Sequence, residues 1–489
     1  CPDQRGITVR MRVEWVSESA WNPHFYDTVT AGRSPTEGQV IRFDSAVYPA
    51  RGSVDLSTTN IKLRDDVYLD PDVVMNSDLA LLAFDQGCSE VEWARRVFAD
   101  FTRPNTLHIA FGSTTRHDPF IRASFYRNLL PYPCLGVPDT AHFLDLDVLL
   151  RAILLIRPGE CPWDVETLTG GAAGLYQFLM WDAGLGTENR ALRVKEVLSK
   201  ISEASPKLLH HAVTVSSPSQ IKALLGLDGG EVWDLRSVKP VVMVHPSLPD
   251  NRGAILAMPV AADVSYPDLI CMVDLEADLS SLCSDSTESL QHLSRANKGD
   301  RSAPLFHISM SRIPFVAPLS AIRPDDAKRL GINVSAVKAN IQRLTSAKHL
   351  VGRLRDEPVL QLNAQPADVD HRMWAGDFPS TDLDLMRQLH SSGFKSWQDL
   401  LLTGTDRRLR DLGNRMLGRY QPDALSPSDR GVWLRHVDQR VRGDFSGSFR
   451  LEQLMERAED MCQQYPTAAG VQGFRERLHR LKGMINDGY

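Results

Sequence analysis

The chain has 489 residues, of which 43% are hydrophobic and 24% charged, and its formal net charge is −6. Single cores stop growing at roughly 250–300 residues, so a chain of this length is expected to form several domains. The composition excludes disordered and fibrous classes, and the acidic balance excludes an overall basic field for binding nucleic acid.

Features that direct a chain to a membrane or to secretion are missing from the sequence. We find no apolar run of about 18 residues or more, and the charged stretch Cys1–Val13 is not typical of a signal peptide. The seven cysteines are scattered without a CxxC pair, which argues against a disulfide framework and against a zinc site. We therefore expect a protein of the reducing cytoplasm with no membrane segment.

The first part of the chain alternates strand-like and helix-like runs, which favours α/β architecture. Ile7–Glu18 is rich in β-branched residues and is expected to form the central strand of a sheet. Residues 1–207 are predicted to form this first domain. Its further strands and amphipathic helices are predicted at Gln39–Phe43, Val91–Phe101, Thr106–Phe111, Pro119–Asn128, Phe143–Ile156 and Leu192–Ser202.

Two different patterns follow in the rest of the chain. Residues 208–350 contain short apolar runs separated by Pro, Gly, Asp and Ser, which predict a small β domain. In residues 351–489 the apolar residues recur at helical intervals, which predicts an all-helical domain. The strands of the β domain are predicted at Pro240–Val244, Ala254–Met258, Leu269–Val273 and Leu305–Ser309.

Five segments resemble, in the right order, bacterial exonuclease I, a family of 3′→5′ single-strand DNA exonucleases in the DEDD superfamily. The last of them, Arg-Pro-Asp-Asp-Ala-Lys-Arg-Leu-Gly-Ile-Asn, is long enough to be specific. The resemblance implies an α/β ribonuclease H-like domain, then an SH3-like β domain, then an all-α C-terminal domain, in agreement with the three divisions above. The segments are Phe125–Asn128, Leu146–Val148, Leu155–Trp163, Val273–Leu279 and Ile322–Asn333.

The chemistry of this family needs carboxylates that converge on two Mg²⁺ ions about 3.5–4 Å apart, and a base that activates water. The resemblance implies an Asp-x-Glu pair on the first strand. Side chains two residues apart share a strand face, so Glu14, Val16 and Glu18 would lie together. Glu18 is then a candidate ligand, and Val16 stands where either register requires a carboxylate.

The second and third motifs of the family are also altered. In the second motif the resemblance assigns the acid to Asp118, and we expect the adjacent His117 to be a satisfied histidine rather than a substitute base. In the third, Leu185 stands for the catalytic histidine and Arg190 for the last aspartate. An arginine in place of a carboxylate repels a divalent cation. The sequence therefore predicts a pseudo-exonuclease that binds no metal cofactor.

Two other interpretations stay open. In one, the chain is an active Mg²⁺-dependent exonuclease with relocated ligands, taken from Glu14, Glu18, Asp118 and Glu188. In the other, the chain is a structural scaffold subunit that binds neither DNA nor metal.

A cleft that has lost its chemistry can still bind a single strand through phosphate contacts and base stacking. Arg116, Arg122 and Arg127 flank the second motif and are candidate DNA contacts, although each could instead form an intramolecular pair.

The resemblance also implies a pocket for the acidic C-terminal tail of single-stranded-DNA-binding protein. It places Arg157, Arg323 and His211 in that pocket. The expected partners are single-stranded DNA and, as further candidates, this tail and a larger DNA-repair assembly.

Overall fold

The structure is a computed structural model, and part of the predicted site falls outside the residues that it describes. Glu14, Val16 and Glu18 of the first motif lie outside, as do Leu185 and Glu188. No helix in the described part combines the length and apolar character needed to cross a bilayer. The described residues are 21–32, 34–49, 52–69, 71, 74, 86–134, 136–164, 189–227, 234–249, 253–262, 268–284, 290–294, 303–347, 349–356, 366–442 and 451–487.

The first sheet has five strands in the order β3-β2-β1-β4-β5. Strand β1 pairs antiparallel with β2 and parallel with β4, and β4 pairs parallel with β5. Because β1 has partners on both sides, it is the central strand among the described residues; Ile7–Glu18, the strand expected at the centre, lies outside them. The strands are β1 (Asn22–Ala31), β2 (Gln39–Val47), β3 (Asp55–Asn60), β4 (Thr106–Ala110) and β5 (His142–Asp145).

Local sequence explains why β1 forms and where it ends. All of residues 25–30 except Asp27 are aromatic or β-branched, the types that suit a buried, pleated strand. Gly32 follows with a φ of +94°, and a Cβ at this position would lie 2.5 Å from the Cα of Gly38. Only glycine fits this close approach, which turns the chain back into β2.

Residues 90–225 form six α-helices in the part that the structure describes, and the four predicted ones are confirmed within a few residues. The exception is the helix predicted at Phe143–Ile156. Its first residues belong to strand β5, and the helix begins at Leu146. The first helix begins at a capping box in which Ser89 and Glu92 each satisfy the other's backbone N–H. The helices are α1 (Glu90–Phe101), α2 (Asp118–Arg127), α3 (Leu146–Ile156), α4 (Arg190–Ala204), α5 (Pro206–Thr214) and α6 (Pro218–Leu225).

The second sheet is fully antiparallel, with the order β10-β6-β7-β8-β9. The four strands predicted for this region are confirmed, and β10 was missed because it is short and begins directly after the turn at Ile313. The strands are β6 (Val241–Val244), β7 (Ala254–Ala262), β8 (Leu269–Asp274), β9 (Leu305–Ser309) and β10 (Phe315–Pro318).

The rest of the described chain is helical: residues from 351 onward were predicted to be so, whereas the helices at Pro324–Arg329 and Val334–Ser346 fall in the region predicted as a β domain. Its last helix is fixed to the first sheet region through Arg477, which donates hydrogen bonds to the carbonyl oxygens of Arg64 and Val67, both at 2.7 Å. The helices are α7 (Pro324–Arg329), α8 (Val334–Ser346), α9 (Leu350–Asp356), α10 (Ser380–Ser391), α11 (Trp397–Leu401), α12 (Arg407–Tyr420), α13 (Pro427–Arg442), α14 (Leu451–Gln464) and α15 (Ala469–Asp487).

Candidate functional site

Strand β1 brings one carboxylate, Asp27, to the centre of the first sheet, where it is fully buried. Val29 follows two residues later on the same strand face. The Asp-x-Glu pattern that the resemblance requires on the first strand thus reads Asp27-Thr28-Val29 on β1. Sequence reasoning missed Asp27 because it took Ile7–Glu18 as the central strand. The aromatic and β-branched run before Gly32 was the signal that could have found it.

His117 closes one side of Asp27. Its Nε2 lies 3.1 Å from the carbonyl oxygen of Phe111 and 3.3 Å from Oδ1 of Asp27, and its Nδ1 lies 2.7 Å from Oγ1 of Thr28. A carbonyl only accepts, so Nε2 carries the proton and Nδ1 accepts from the Thr28 hydroxyl. Burial, followed by the charge of Arg116, lowers the pKa of His117 to about 3. The prediction of a satisfied histidine is confirmed.

Arg190 closes the other side of Asp27. It is the first residue of α4, and helix N-cap Asn189 accepts a hydrogen bond from the N–H of Ala191. The Nη1 of Arg190 lies 3.7 Å from Oδ2 of Asp27, and its backbone N–H donates to Asp44 at 3.3 Å. The guanidinium is only 7% exposed. A permanent positive charge therefore faces the buried Asp27 carboxylate.

The predicted acid Asp118 does not join this group. Its Oδ2 lies 3.5 Å from Nη1 of Arg122, one helical turn along α2. Its Oδ1 is buried and has no hydrogen-bond partner among the described residues. Burial raises the pKa of Asp118 to about 6, against the opposing charge of Arg122. Asp118 is thus an acid with a raised pKa that is paired with Arg122.

Asp145, at the end of β5, fixes the loop between β4 and α2. Its carboxylate accepts hydrogen bonds from the N–H groups of Gly112 and Thr114 at 2.9 and 3.1 Å. The Thr114 hydroxyl also lies 3.3 Å from Nε2 of His245, which follows strand β6. This contact joins the loop to the second sheet. Asp145 serves as a structural anchor and caps α3 as well.

The residues around Asp27 do not fit a two-metal centre. Two metal ions need several converging carboxylates, whereas Asp27 faces a guanidinium and a hydrogen-bonded neutral histidine. Elsewhere in the described part of the chain, the only set of three or more His, Cys, Asp or Glu side chains with ligand atoms within 4.8 Å of one another is Asp66, Asp370 and His436. That set lies between the first sheet region and the C-terminal helices, and arginines surround it.

The three arginines predicted to contact DNA have different environments. The prediction that Arg127 contacts DNA is wrong. Its side chain is 1% exposed and donates to the carbonyl oxygens of Gly38 and Pro35 at 2.8 and 2.6 Å. Arg122 is also buried, and it donates to the carbonyl of Cys134 at 2.6 Å. Arg116 is exposed beside the loop that Asp145 fixes.

The three residues predicted to bind a partner lie near one another. Arg157 donates to the carbonyl oxygen of Ala321 at 3.1 Å and lies 3.4 Å from Asp326. Arg323, which lies between Ala321 and Asp326 in the sequence, is exposed. His211 is half-buried, bonded to the carbonyl of Val316 at 2.8 Å.

A large cleft runs beside the loop of Asp118. It has a volume of about 920 Å³ and is lined by residues of the first sheet region, the second sheet region and the C-terminal helices. The first sheet region provides Arg122, the second sheet region provides Arg312, and the helical domain provides Trp374. This volume lies at the upper end of the range of about 300–1,000 Å³ that is typical of ligand-binding clefts.

This order of elements, a ribonuclease H-like α/β sheet followed by an SH3-like β sheet and a helical domain, defines the class of nuclease-fold proteins to which the chain belongs. The family models for the exonuclease I SH3-like domain and the exonuclease I C-terminal domain match residues 230–357 and 367–481. The chain is an exonuclease I-like protein.

Relatives and solved structures agree with this assignment. Exodeoxyribonuclease I of Escherichia coli is 26% identical over 378 residues, covering 74% of this chain and 76% of that protein. The Haemophilus influenzae enzyme is 23% identical over 374 residues, covering 73% and 76%. A structure described as apo exonuclease I aligns with a TM-score of 0.75 and 20% identity over 95% of this chain and 99% of the other. The zinc-bound E. coli ExoI–ssDNA complex aligns with a TM-score of 0.71 and 20% identity over the same shares.

Proposed function

We propose that this exonuclease I-like chain binds single-stranded DNA and does not hydrolyse it. The observation that carries the proposal is the ion pair between Arg190 and Asp27. The guanidinium is always protonated, so it balances the buried carboxylate without a metal ion. The carboxylate that nuclease chemistry would use is thus engaged within the chain.

Electrostatics opposes a divalent cation at this position. Two unit charges about 4 Å apart near a protein surface interact by about 4 kcal/mol, and a divalent ion doubles that repulsion to about 8 kcal/mol. A second carboxylate on β1 would offset part of it, but Val29 stands at the required position. Metal binding at Asp27 therefore needs Arg190 to move away.

The attacking water would also need a base. The lone pair of His117 at Nδ1 accepts the Thr28 hydroxyl, and the proton at Nε2 is donated to Phe111 and shared with Asp27. A ring with both nitrogens engaged cannot take a proton from water without losing one of these hydrogen bonds. The engaged ring nitrogens of His117 therefore support the proposal that the chain does not hydrolyse DNA.

Binding of a single strand is supported on separate grounds. Solved neighbours with this fold are described as complexes of E. coli ExoI with ssDNA. Phosphate contacts and base stacking require no metal. The cleft of about 920 Å³ beside Asp118 provides the room for such contacts.

The test measures binding and degradation on the same sample. Fluorescence anisotropy with a 5′-labelled oligothymidylate should show binding at low salt, and gels of that mixture should show a full-length strand in Mg²⁺ and in Mn²⁺. E. coli exonuclease I is the positive control for degradation. Metal-dependent shortening that disappears in Asp27→Asn would overturn the non-catalytic half of the proposal.

A second candidate function is binding of the C-terminal tail of single-stranded-DNA-binding protein. One solved neighbour is described as an SSB/exonuclease I structure. In this chain Arg157 reaches the turn that carries Arg323, but its Nη1 is already directed at Ala321 and Asp326. The side chain of Arg323 is exposed and forms no hydrogen bond with the described residues, so it would supply the main contact to a carboxylate.

A peptide that ends in this acidic, Phe-terminated tail tests the second candidate. Hydrogen bonds to charged groups contribute about 1.5–3 kcal/mol each, so Arg323→Ala should weaken binding by roughly ten-fold or more. Arg157→Ala should have a smaller effect, and exposed Arg410→Ala, in α12, should have none. Equal binding by Arg323→Ala and the parent would exclude this pocket.

A further inference from the structure

The cleft carries one cation and one aromatic ring whose outer sides are open. Its charged groups are otherwise engaged: Asp139 pairs with Lys222 at 3.1 Å, and Asp377 accepts the N–H of Cys134 at 2.6 Å. The carboxylate of Asp268 accepts the N–H of Ser311 at 3.1 Å and the hydroxyl of Ser309. These acids are turned toward protein donors.

Arg312 is the exposed cation of the cleft, and Asp268, which acts on it through its charge, is hydrogen-bonded to Ser309 and Ser311. The Arg312 side chain is exposed on the cleft wall and forms no hydrogen bond or ion pair with the described residues. Its backbone is fixed, because Met310 donates to the carbonyl of Asp268 at 2.9 Å and Ser311 accepts the N–H of Val137 at 3.0 Å. A cation on a rigid turn loses little freedom when it contacts an anion.

Trp374 is the open aromatic ring. It lies on the turn Val369–Ala375, which is held by the buried side chain of Asp370 and its 2.6 Å contact with Arg415. The guanidinium of Arg122 lies 5.2 Å from the centre of the indole, yet the residue remains 46% exposed. An indole supported by a buried arginine presents a rigid surface on which a flat ring can stack.

We infer that this cleft is a nucleotide subsite in which one unpaired base stacks on Trp374 while an adjacent phosphate contacts Arg312. The two open groups match the two parts of a nucleotide, an aromatic face and an anion. Arg122 contacts the indole of Trp374 through its guanidinium. The pKa of Arg312 is lowered, first by burial in the cleft and then by the charge of Arg122. The inference rests on the proposed binding of single-stranded DNA and assigns the residues that perform it.

This arrangement needs neither a 3′ end nor a metal ion. The strand contacts one residue from the SH3-like region and one from the helical domain, on a floor provided by the nuclease-like region. An internal stretch of a single strand therefore serves as ligand as well as a terminus does.

The experiment compares a labelled oligothymidylate with an abasic oligomer of equal length and charge, by anisotropy at several salt concentrations. Trp374→Ala should weaken binding of the oligothymidylate by about five- to a hundred-fold and leave the abasic oligomer unchanged. Arg312→Ala should weaken both ligands alike and reduce the slope of log K against log salt by about 0.7. Leu402→Ala, at a residue 63% exposed outside the cleft, and Arg410→Ala are the matched controls and should bind as the parent does.

The outcomes separate this inference from the proposed function. A parent protein that binds no oligothymidylate at low salt would overturn the proposed function. A parent that binds, with Trp374→Ala and Arg312→Ala binding equally well, would overturn the subsite alone. Equal losses for both ligands in Trp374→Ala would overturn the stacking contact. Both substituted side chains are exposed, and thermal unfolding of each variant confirms that the fold is retained.

Discussion

Two buried clusters of this chain combine aspartate, histidine and arginine, and they differ in how closely the arginines approach the carboxylate. Between the first sheet region and the C-terminal helices, Asp66 lies 2.9 Å from Arg64, 2.7 Å from Arg419 and 3.3 Å from His436. In the nuclease-like region, Asp27 lies 3.7 Å from Nη1 of Arg190 and 3.3 Å from Nε2 of His117.

The difference has a physical consequence for each cluster. Burial alone would raise the pKa of Asp66, but the charges of Arg419 and Arg64 hold it well below the ordinary value. That carboxylate is fixed as an anion and joins two domains. At Asp27 the guanidinium of Arg190 is farther away, at 3.7 Å, and is carried by the first residue of helix α4. The domain junction and the Asp27 site thus use the same residue types at different distances.

The largest expected effect comes from breaking the interface cluster. Asp66→Asn removes the charge that three basic side chains share, and loss of one partner from a buried ion pair costs about 3–5 kcal/mol of unfolding free energy. Asp384→Asn is the matched control, because Asp384 pairs with Arg387 on the surface, where an ion pair contributes about 0.5 kcal/mol. Urea unfolding compares the two, and similar losses would show that the interface arginines are not coupled through Asp66.

A smaller effect is expected at the cleft. Arg190→Ala removes the cation that faces Asp27, so Mn²⁺ should stabilise this variant and leave the parent unchanged. Binding to the folded state stabilises by about 1.4 kcal/mol at ten times the Kd and about 2.7 kcal/mol at a hundred times. Thermal unfolding with and without Mn²⁺ measures it, with Arg193→Ala on the same helix as the control. An equal Mn²⁺ shift in the parent would show that Arg190 does not exclude metal.

The smallest effect is a pH dependence of DNA affinity. The pKa of Asp118 is raised to about 6, so this acid is anionic at pH 7.5 and largely neutral at pH 5. The charged or titratable groups around it are Arg122, Tyr26 and Tyr132. Loss of one negative charge beside a phosphate changes binding by about 1 kcal/mol, so affinity should rise about five-fold as pH falls through 6. Asp118→Asn should remove this rise, and an unchanged pH profile in that variant would exclude Asp118 as its source.

Much of the fold could be predicted from the sequence because its elements carry local signals. The helices at Val91–Phe101 and Leu192–Ser202 and four strands of the second sheet have clear apolar periodicity, and each was confirmed. The centre of the first sheet could not be chosen in this way. The run at residues 22–31 has the same strand character as Ile7–Glu18, and its central position follows only from its pairing with β2 and β4.

The candidate site was less predictable, because its contacts join residues far apart in the chain. Arg190 was recognised as the replacement of a carboxylate, but its partner Asp27 lies on a strand that the sequence did not single out. Arg127 looked like a DNA contact because positive charge near a motif is visible in the sequence, whereas the carbonyl groups of Pro35 and Gly38 that bind it are not. Trp374, on a turn far along the chain, gave no signal at all.

The central claim is that the Arg190 guanidinium takes the place of a metal ion at Asp27. A crystal of the parent protein soaked in Mn²⁺ tests it most directly, through the anomalous signal of the ion. The account predicts no Mn²⁺ at the Asp27 carboxylate and an intact contact between Asp27 and Arg190. A Mn²⁺ ion coordinated by Asp27, with Arg190 turned away, would contradict it.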